Sequence, residues 1–317
     1  MPKLFGRIFT DIKIFKKSNL HENGIYCDFD EKNLYKMRAL IIGPGDTPYE
    51  NGFYLFKLEF PPNYPLYPPK VTYLTQGDYI RFNPNLYTNG KVCVSILNTW
   101  SGPGWTTSCS LTSVLLSIQT LLNNYPIHNE PGWDTVSNKD IRSINYNTIL
   151  KYANLKIAII KTLENPPSEY DVFKDIMLNH LHKSSKTLYN YIEQNIEFNE
   201  NKTLKSEIYN LKIKKNFKKY KNKLDKLLKI PINQSNIDLF IYNPRDKTNE
   251  LNTTIKPLQT EETQNETQKE KKTIKRGAPN KNSKLFEVGY EKISENNGKL
   301  YFVSLTTTNK KRWKLKV

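Results

Sequence analysis

Histidine, methionine and cysteine are scarce in this chain of 317 residues, which holds 4 His, 3 Met and 3 Cys. So few thiols, and an odd number of them, argue against a disulfide framework and for a reducing compartment. No CxxC pair, HExxH or phosphate-binding glycine loop occurs, so metal, nucleotide and cofactor roles have no motif to rest on. No apolar run approaches the roughly 20 residues that cross a bilayer. The amino terminus, with Asp11 amid basic and aromatic residues, has no signal-peptide profile, and cytosol or nucleus is the expected location. Acidic residues are also few. There are 31 Asp and Glu against 48 Lys and Arg, a formal charge of +17. That surplus attracts nucleic acid, acidic proteins or anionic membrane surfaces; a Lys-, Asn- and Ile-rich composition is equally what A+T-rich coding produces.

Against this background the segment Asn83, Pro84, Asn85, Leu86, Tyr87, Thr88, Asn89, Gly90, Lys91, Val92 and Cys93 carries the most chemical information. It sets a side-chain amide, Asn85, eight residues before a thiol, Cys93, across an Asn-Gly turn that can fold the two together. A thiol is a strong nucleophile, and an amide N–H can stabilise the oxyanion formed when a carbonyl is attacked. Cys27 and Cys109 occupy no such setting and read as packing or incidental residues.

The pattern along the chain predicts an α+β fold. Leu4, Ile8, Ile12 and Phe15 mark an amphipathic helix over residues 3–17, with Lys3 and Arg7 on its basic face. Short apolar segments near 36–42, 53–60 and 70–74, separated by Pro and Gly clusters, read as antiparallel strands. Ser110 caps a helix whose stripe is Leu111, Val114, Leu115, Ile118, Leu121 and Leu122. Helical periodicity continues over 139–163 to the stop at Pro166 and Pro167, then over 169–195 and 203–229. Lysine dominates the last of these, as a solvated face or a binding stripe. Residues 243–283 are too polar to offset their ordering entropy. Segments near 284–291, 299–306 and 311–316 predict a three-stranded meander. The expected division is therefore a core over 1–165, a basic helical extension over 166–232, a disordered linker over 233–283 and a β-rich module over 284–317.

The residues around the Asn85–Cys93 segment form an ordered set. Gly43, Pro44, Asp46, Thr47, Pro48, Tyr49, Glu50, Gly52 and Phe53 precede it, followed by Phe60, Pro61, Tyr64, Pro65, Pro68, Pro69, Lys70 and Val71. Ile96, Leu97 and Trp100 come after, and then His128, Asn129, Glu130, Pro131 and Gly132. This set resembles the ubiquitin-conjugating enzymes over roughly residues 1 to 165, and within them the large subgroup with a carboxy-terminal extension. The resemblance implies the ubiquitin-conjugating fold, a four-stranded antiparallel sheet with flanking helices. It implies that Cys93 takes the carboxy-terminal glycine of ubiquitin or a ubiquitin-like protein from an activating enzyme and passes it to a substrate lysine or a ligase cysteine. It makes Asn85 either the oxyanion donor or a tie that shapes the loop. ATP is used by the activating enzyme, so no cofactor is expected here. It further implies that the first helix, with Lys3 and Arg7, docks the activating enzyme. The loops around Leu66, Trp100 and Pro103 receive a ligase, unless Leu66 and Trp100 are core residues.

Three positions depart from the family pattern. Asn83 stands where His is common, and Ser95 and Asn129 stand where acidic residues near the thiol are typical. A free lysine has a pKa of about 10.4, so the incoming amine must be helped to lose its proton. His128, and Asn129, orienting the amine, are the candidates for this; a loop histidine packed by Pro126 and Pro131 is the alternative. Two other readings compete with the enzyme. One is a non-catalytic ubiquitin-binding variant, which the presence of Cys93 argues against. The other is a nucleic-acid-binding adaptor built on the basic extension and on Tyr290, Tyr301, Phe302, Arg312 and Trp313.

Overall fold

The computed structural model describes residues 2–30, 33–241, 291–293, 300–305 and 311–315. They fall into two compact units, divided between Glu250 and Leu251.

In the first unit, α1 (Pro2–Lys17) buries Ile8, Ile12 and Phe15 of the predicted stripe, and the side chain of Leu4 lies outside the described residues. Four strands follow: β1 (Ile25–Phe29), β2 (Lys36–Ile42), β3 (Phe53–Glu59) and β4 (Lys70–Tyr73). They pair antiparallel in sequence order, with Cys27 opposite Ala39, Ala39 opposite Phe56 and Phe56 opposite Tyr73. This register puts Cys27, Ala39, Tyr54, Phe56 and Tyr73 on one face and Tyr26, Leu40, Phe53 and Leu55 on the other. The three predicted strands are present, and β1 completes the sheet. Helix α2 (Leu111–Gln119) starts at Ser110, whose side chain accepts from the Ser113 backbone N–H while Ser113 Oγ accepts from the Ser110 N–H. Leu121 and Leu122 lie just past its end and remain buried.

The predicted helix over 139–163 is α3 (Ile141–Ala153), which continues through a π-helical stretch (Asn154–Lys161) into α4 (Thr162–Glu164). Its start is capped by Asp140, which accepts from the Arg142 N–H and grips the Arg142 guanidinium, at 2.9 and 2.7 Å. That arrangement lowers the Asp140 carboxyl pKa to about 2.

Beyond Pro167 the extension departs from the simple helical reading. A 3₁₀ turn (Ser168–Phe173) leads into α5 (Lys174–Asn199), where a helix over 169–195 is expected. The helix expected over 203–229 is instead a hairpin of β5 (Thr203–Ser206) and β6 (Leu211–Lys214), followed by α6 (Phe217–Leu227). Along β6, Leu211 and Ile213 are buried while Lys212 and Lys214 are exposed, a period of two that the abundance of lysine disguises as a helical face. The start of the expected linker is also ordered: α7 (Gln234–Asp238) buries Ile237, and Phe240 packs on the sheet. The remainder of that linker, from residue 242, lies outside the described residues.

No packing boundary falls at residue 165. Tyr170 donates to the Phe56 carbonyl at 3.0 Å, the Phe53 ring meets His180 on α5 at 6.1 Å, and Phe240 meets Tyr26 at 6.3 Å and Phe173 at 5.4 Å. The extension thus covers the Tyr26–Leu40–Phe53 face of the sheet. This is why Ala39, Leu40, Ile41 and Ile42 are all buried in succession, the run of a strand packed on both faces.

The second unit is a three-stranded antiparallel sheet, β7 (Glu291–Ile293), β8 (Leu300–Leu305) and β9 (Lys311–Leu315), in that order. It is the predicted meander, with its first strand beginning at the end of the expected segment; residues 284–290 lie outside the described residues. Tyr301 and Phe302 fall on β8 and Arg312 and Trp313 on β9; Tyr290 lies outside the described residues.

Candidate active site

The segment from Asn83 to Cys93 folds back on itself as its Asn-Gly turn predicts. Gly90 closes the turn at φ +90°, its N–H donating to the Tyr87 carbonyl at 3.0 Å. A Cβ there would meet Thr72 Cγ2 at 2.9 Å, so glycine answers both the backbone angle and the close approach to β4. Leu86 and Val92 then pair across the turn, which brings Asn85 opposite Cys93. Two hydrogen bonds join these residues. The Cys93 N–H donates to the Asn85 carbonyl at 2.9 Å, and the Asn85 side-chain amide donates to the Cys93 carbonyl at 2.5 Å.

Sequence reasoning missed a second clamp. Thr99 Oγ1 accepts from the Val94 N–H at 3.0 Å and donates to the Val92 carbonyl at 2.9 Å, gripping the backbone on either side of Cys93. A hydroxyl that both donates and accepts can do this with one atom. The thiol itself is covered: Cys93 is 2% exposed, yet it is not part of the contiguous apolar core. Next to it, Gly102 comes so close to Ser95 that an added Cβ would sit 3.2 Å from Ser95 Cβ, so the 98–105 loop packs on the segment that follows Cys93.

Asn83 is fully buried and uses both ends of its amide. Its Nδ2 donates to the Leu121 carbonyl at 2.7 Å and to Tyr49 Oη at 3.2 Å; its Oδ1 accepts from the Asn85 N–H at 2.9 Å and from Asn129 Nδ2 at 3.2 Å. Asn83 therefore links the thiol loop, the end of α2 and the 126–132 loop. Burial raises the Tyr49 phenol above its ordinary range, so it remains an O–H, and it donates to the Phe82 carbonyl at 2.6 Å.

The other predicted site residues make contacts within and between the loops. Asn129 is tied to Asn83 through its Nδ2, a bond that does not use its Oδ1. His128 Nε2 meets the Val136 carbonyl at 2.8 Å, and its ring stacks on Tyr125 at 5.4 Å. A ring nitrogen facing a carbonyl must carry the proton, so Nε2 holds the loop, and Nδ1 is the acceptor nitrogen of this half-buried ring. Asn85 Oδ1 is buried with no hydrogen-bond partner, an unfilled acceptor in the residue beside the thiol.

On the recognition surfaces, Leu66 is 67% exposed and Trp100 37%, and Pro103 is exposed, so none of the three is a core residue. Arg7 is engaged within the chain. Its guanidinium pairs with Asp11 at 3.0 Å and donates to the carbonyls of Thr107 and Cys109, tying α1 to the loop before α2. Asp11 is 1% exposed and also accepts from the Tyr64 hydroxyl. The side chain of Lys3 lies outside the described residues.

Among the described residues no cluster of His, Cys, Asp and Glu could hold a metal, and no helix is long and apolar enough to cross a membrane.

Residues 7–154 match the family model for ubiquitin-conjugating enzymes. Ubiquitin-conjugating enzyme E2 Z of Xenopus tropicalis is 43% identical over 171 residues, covering 54% of this chain and 53% of the relative. Human ubiquitin-conjugating enzyme E2 Z is 44% identical over 165 residues, covering 51% and 46%. The probable ubiquitin-conjugating enzyme protein 17 of Caenorhabditis elegans is 44% identical over 167 residues, covering 50% and 22%. The chain spans about half the length, or less, of these curated relatives.

Proposed function

From the ubiquitin-conjugating domain that residues 7–154 form, we propose that this protein accepts ubiquitin or a ubiquitin-like protein on Cys93 and passes it on. The Cys93 thiolate attacks the thioester carbonyl presented by an activating enzyme; the new C–S bond forms as the activating enzyme's thiolate leaves. In the second step a lysine amine or a ligase thiolate attacks the same carbonyl, and Cys93 departs as thiolate. One thioester replaces another in the loading step, so this chain needs no nucleotide of its own. The partners of this reading are the modifier, an activating enzyme, a ligase and a substrate protein. Leu66, Trp100 and Pro103 form the surface that suits a ligase.

The paired hydrogen bonds between Asn85 and Cys93 carry the reading, because they fix the backbone that presents the thiol. With Nδ2 of Asn129 tied to Asn83 and Nε2 of His128 tied to Val136, a lysine is helped to lose its proton by the remaining acceptor atoms of these residues or by a partner, and a ligase cysteine as acceptor needs no amine deprotonation. The test is incubation with activating enzyme, ATP and ubiquitin, read on non-reducing gels. Wild type forms an adduct that reductant removes, and Cys93→Ser forms at most a reductant-resistant oxyester. An unchanged reductant-sensitive adduct on Cys93→Ser overturns the assignment.

Lys205 and Lys212 support a second activity, anion binding by the extension. They stand directly opposite each other on the exposed face of the hairpin, where like charges repel. A labelled single-stranded oligonucleotide should bind with an affinity that falls steeply with salt if the partner is nucleic acid; salt-independent or absent binding removes that reading.

A further inference from the structure

Tyr209 lies far beyond Cys93 in sequence, in the connection between β5 and β6. Its backbone is left-handed, with φ 57° and ψ 15°, and Asn210 follows at φ 50°. That conformation is strained for a non-glycine residue and persists where the surroundings over-determine it. Three contacts do so here. The Arg81 guanidinium lies over the Tyr209 ring, 4.4 Å from its centroid, and also over the Tyr87 ring at 3.9 Å. Tyr209 meets the Tyr146 ring edge-on at 5.9 Å, and the Tyr146 hydroxyl donates to the Arg81 carbonyl at 2.8 Å. The Tyr209 hydroxyl donates to the Glu130 carboxylate. Burial and that carboxylate keep the phenol protonated, so it remains a donor.

Arg81 and Glu130 belong to the two loops that Asn83 joins. Arg81 Nη2 donates to the Pro84 carbonyl, immediately before Asn85. Glu130 immediately follows Asn129, the residue whose amide donates to Asn83. We infer that Tyr209 is a positioning residue for the active site: through Arg81 and Glu130 it holds the loop that carries Asn85 and Cys93 and the 126–132 loop that Asn83 ties to it. The extension is then part of the catalytic apparatus and not an appendage to it. The kinetic consequence rests on the thioester reading; the structural consequence does not.

Two variants of the full chain test this. Tyr209→Gly accepts the left-handed backbone without strain and deletes both ring and hydroxyl. Tyr209→Phe keeps the ring against Arg81 and removes only the donor to Glu130. Alkylation of Cys93 by iodoacetamide, followed by mass spectrometry, should be about tenfold faster in Tyr209→Gly and about threefold faster in Tyr209→Phe, which keeps the Arg81 contact and loses the bond to Glu130, since a loosened loop uncovers the thiol. In single-turnover discharge of charged protein to free lysine, the saturating rate should fall about tenfold in Tyr209→Gly, and Phe, which keeps the Arg81 contact alone, should restore part of it. The half-saturating lysine concentration should not move, a split that general destabilisation does not produce. Equal alkylation and equal saturating discharge in wild type and Tyr209→Gly overturn the inference. A wild type that cannot be charged overturns the thioester reading instead, and the alkylation rates still decide the role of Tyr209.

Discussion

The side-chain amide of Asn85 donates to the backbone carbonyl of Cys93, at 2.5 Å, so in this conformation it ties the loop and is not free for an oxyanion. The two roles differ in magnitude. A neutral loop hydrogen bond is worth about 0.5–1.5 kcal/mol, or up to roughly tenfold in rate, whereas an oxyanion donor is worth about 100- to 1,000-fold. Asn85→Ala should therefore slow discharge to lysine by about tenfold and also speed alkylation of Cys93. A loss of 100-fold or more with unchanged alkylation would assign the oxyanion role.

Asn83→Ala should destabilise the protein by about 2–4 kcal/mol, because it strands the buried Asn85 N–H and Leu121 carbonyl and frees Asn129. Urea unfolding measures this as a shift of midpoint at constant slope. A change within about 0.5 kcal/mol, the range of ordinary surface substitutions, would show that the network does not contribute to stability.

Phe173 is fully buried where the extension crosses the sheet. Phe173→Ala should cost about 3–5 kcal/mol. Because the extension and the sheet share one core, its Trp133 and Trp105 fluorescence and far-ultraviolet signals should move together. Separate transitions for sheet and extension would contradict a shared core.

His180, half-buried on α5 against Phe53, donates from Nε2 to Asn51 Oδ1 at 2.9 Å, and burial together with Lys183 lowers its pKa. The unfolded state therefore binds its proton more readily. Its contribution is complete above the unfolded value of about 6.5 and is lost as the pH falls below that toward the lowered folded value. Unfolding free energy measured from pH 7.5 down to 5 should decline in wild type and decline less in His180→Gln. Identical slopes would exclude His180 as the source.

Much of the site was legible locally. The Asn-Gly turn sets Asn85 against Cys93 because a tight turn dictates its own cross-strand partners, and Ser110 caps α2 by a bond spanning only three residues. The exposed positions of Leu66 and Trp100 follow from loops rich in proline and glycine. The hairpin at 203–214 was not legible, because its alternation lies in four-residue strands within a lysine-rich stretch that also suits a helix. The unbroken run Ala39–Leu40–Ile41–Ile42 did carry a signal, since a strand with one wet face alternates; it announced that a further element covers the sheet.

Sequence alone therefore singled out Cys93 as the candidate nucleophile, its neighbouring amide, and the helices and three of the four strands around them, all set by spacing and by short-range hydrogen bonds. Only the tertiary structure decided what those amides do. Asn83, Asn85 and Asn129 have donors and acceptors that could serve solvent, substrate or backbone. Their partners are chosen by residues distant in the chain, Tyr49, Leu121 and, through Arg81 and Glu130, Tyr209. A buried polar group must find a partner wherever the fold places one, and no local pattern records where that is.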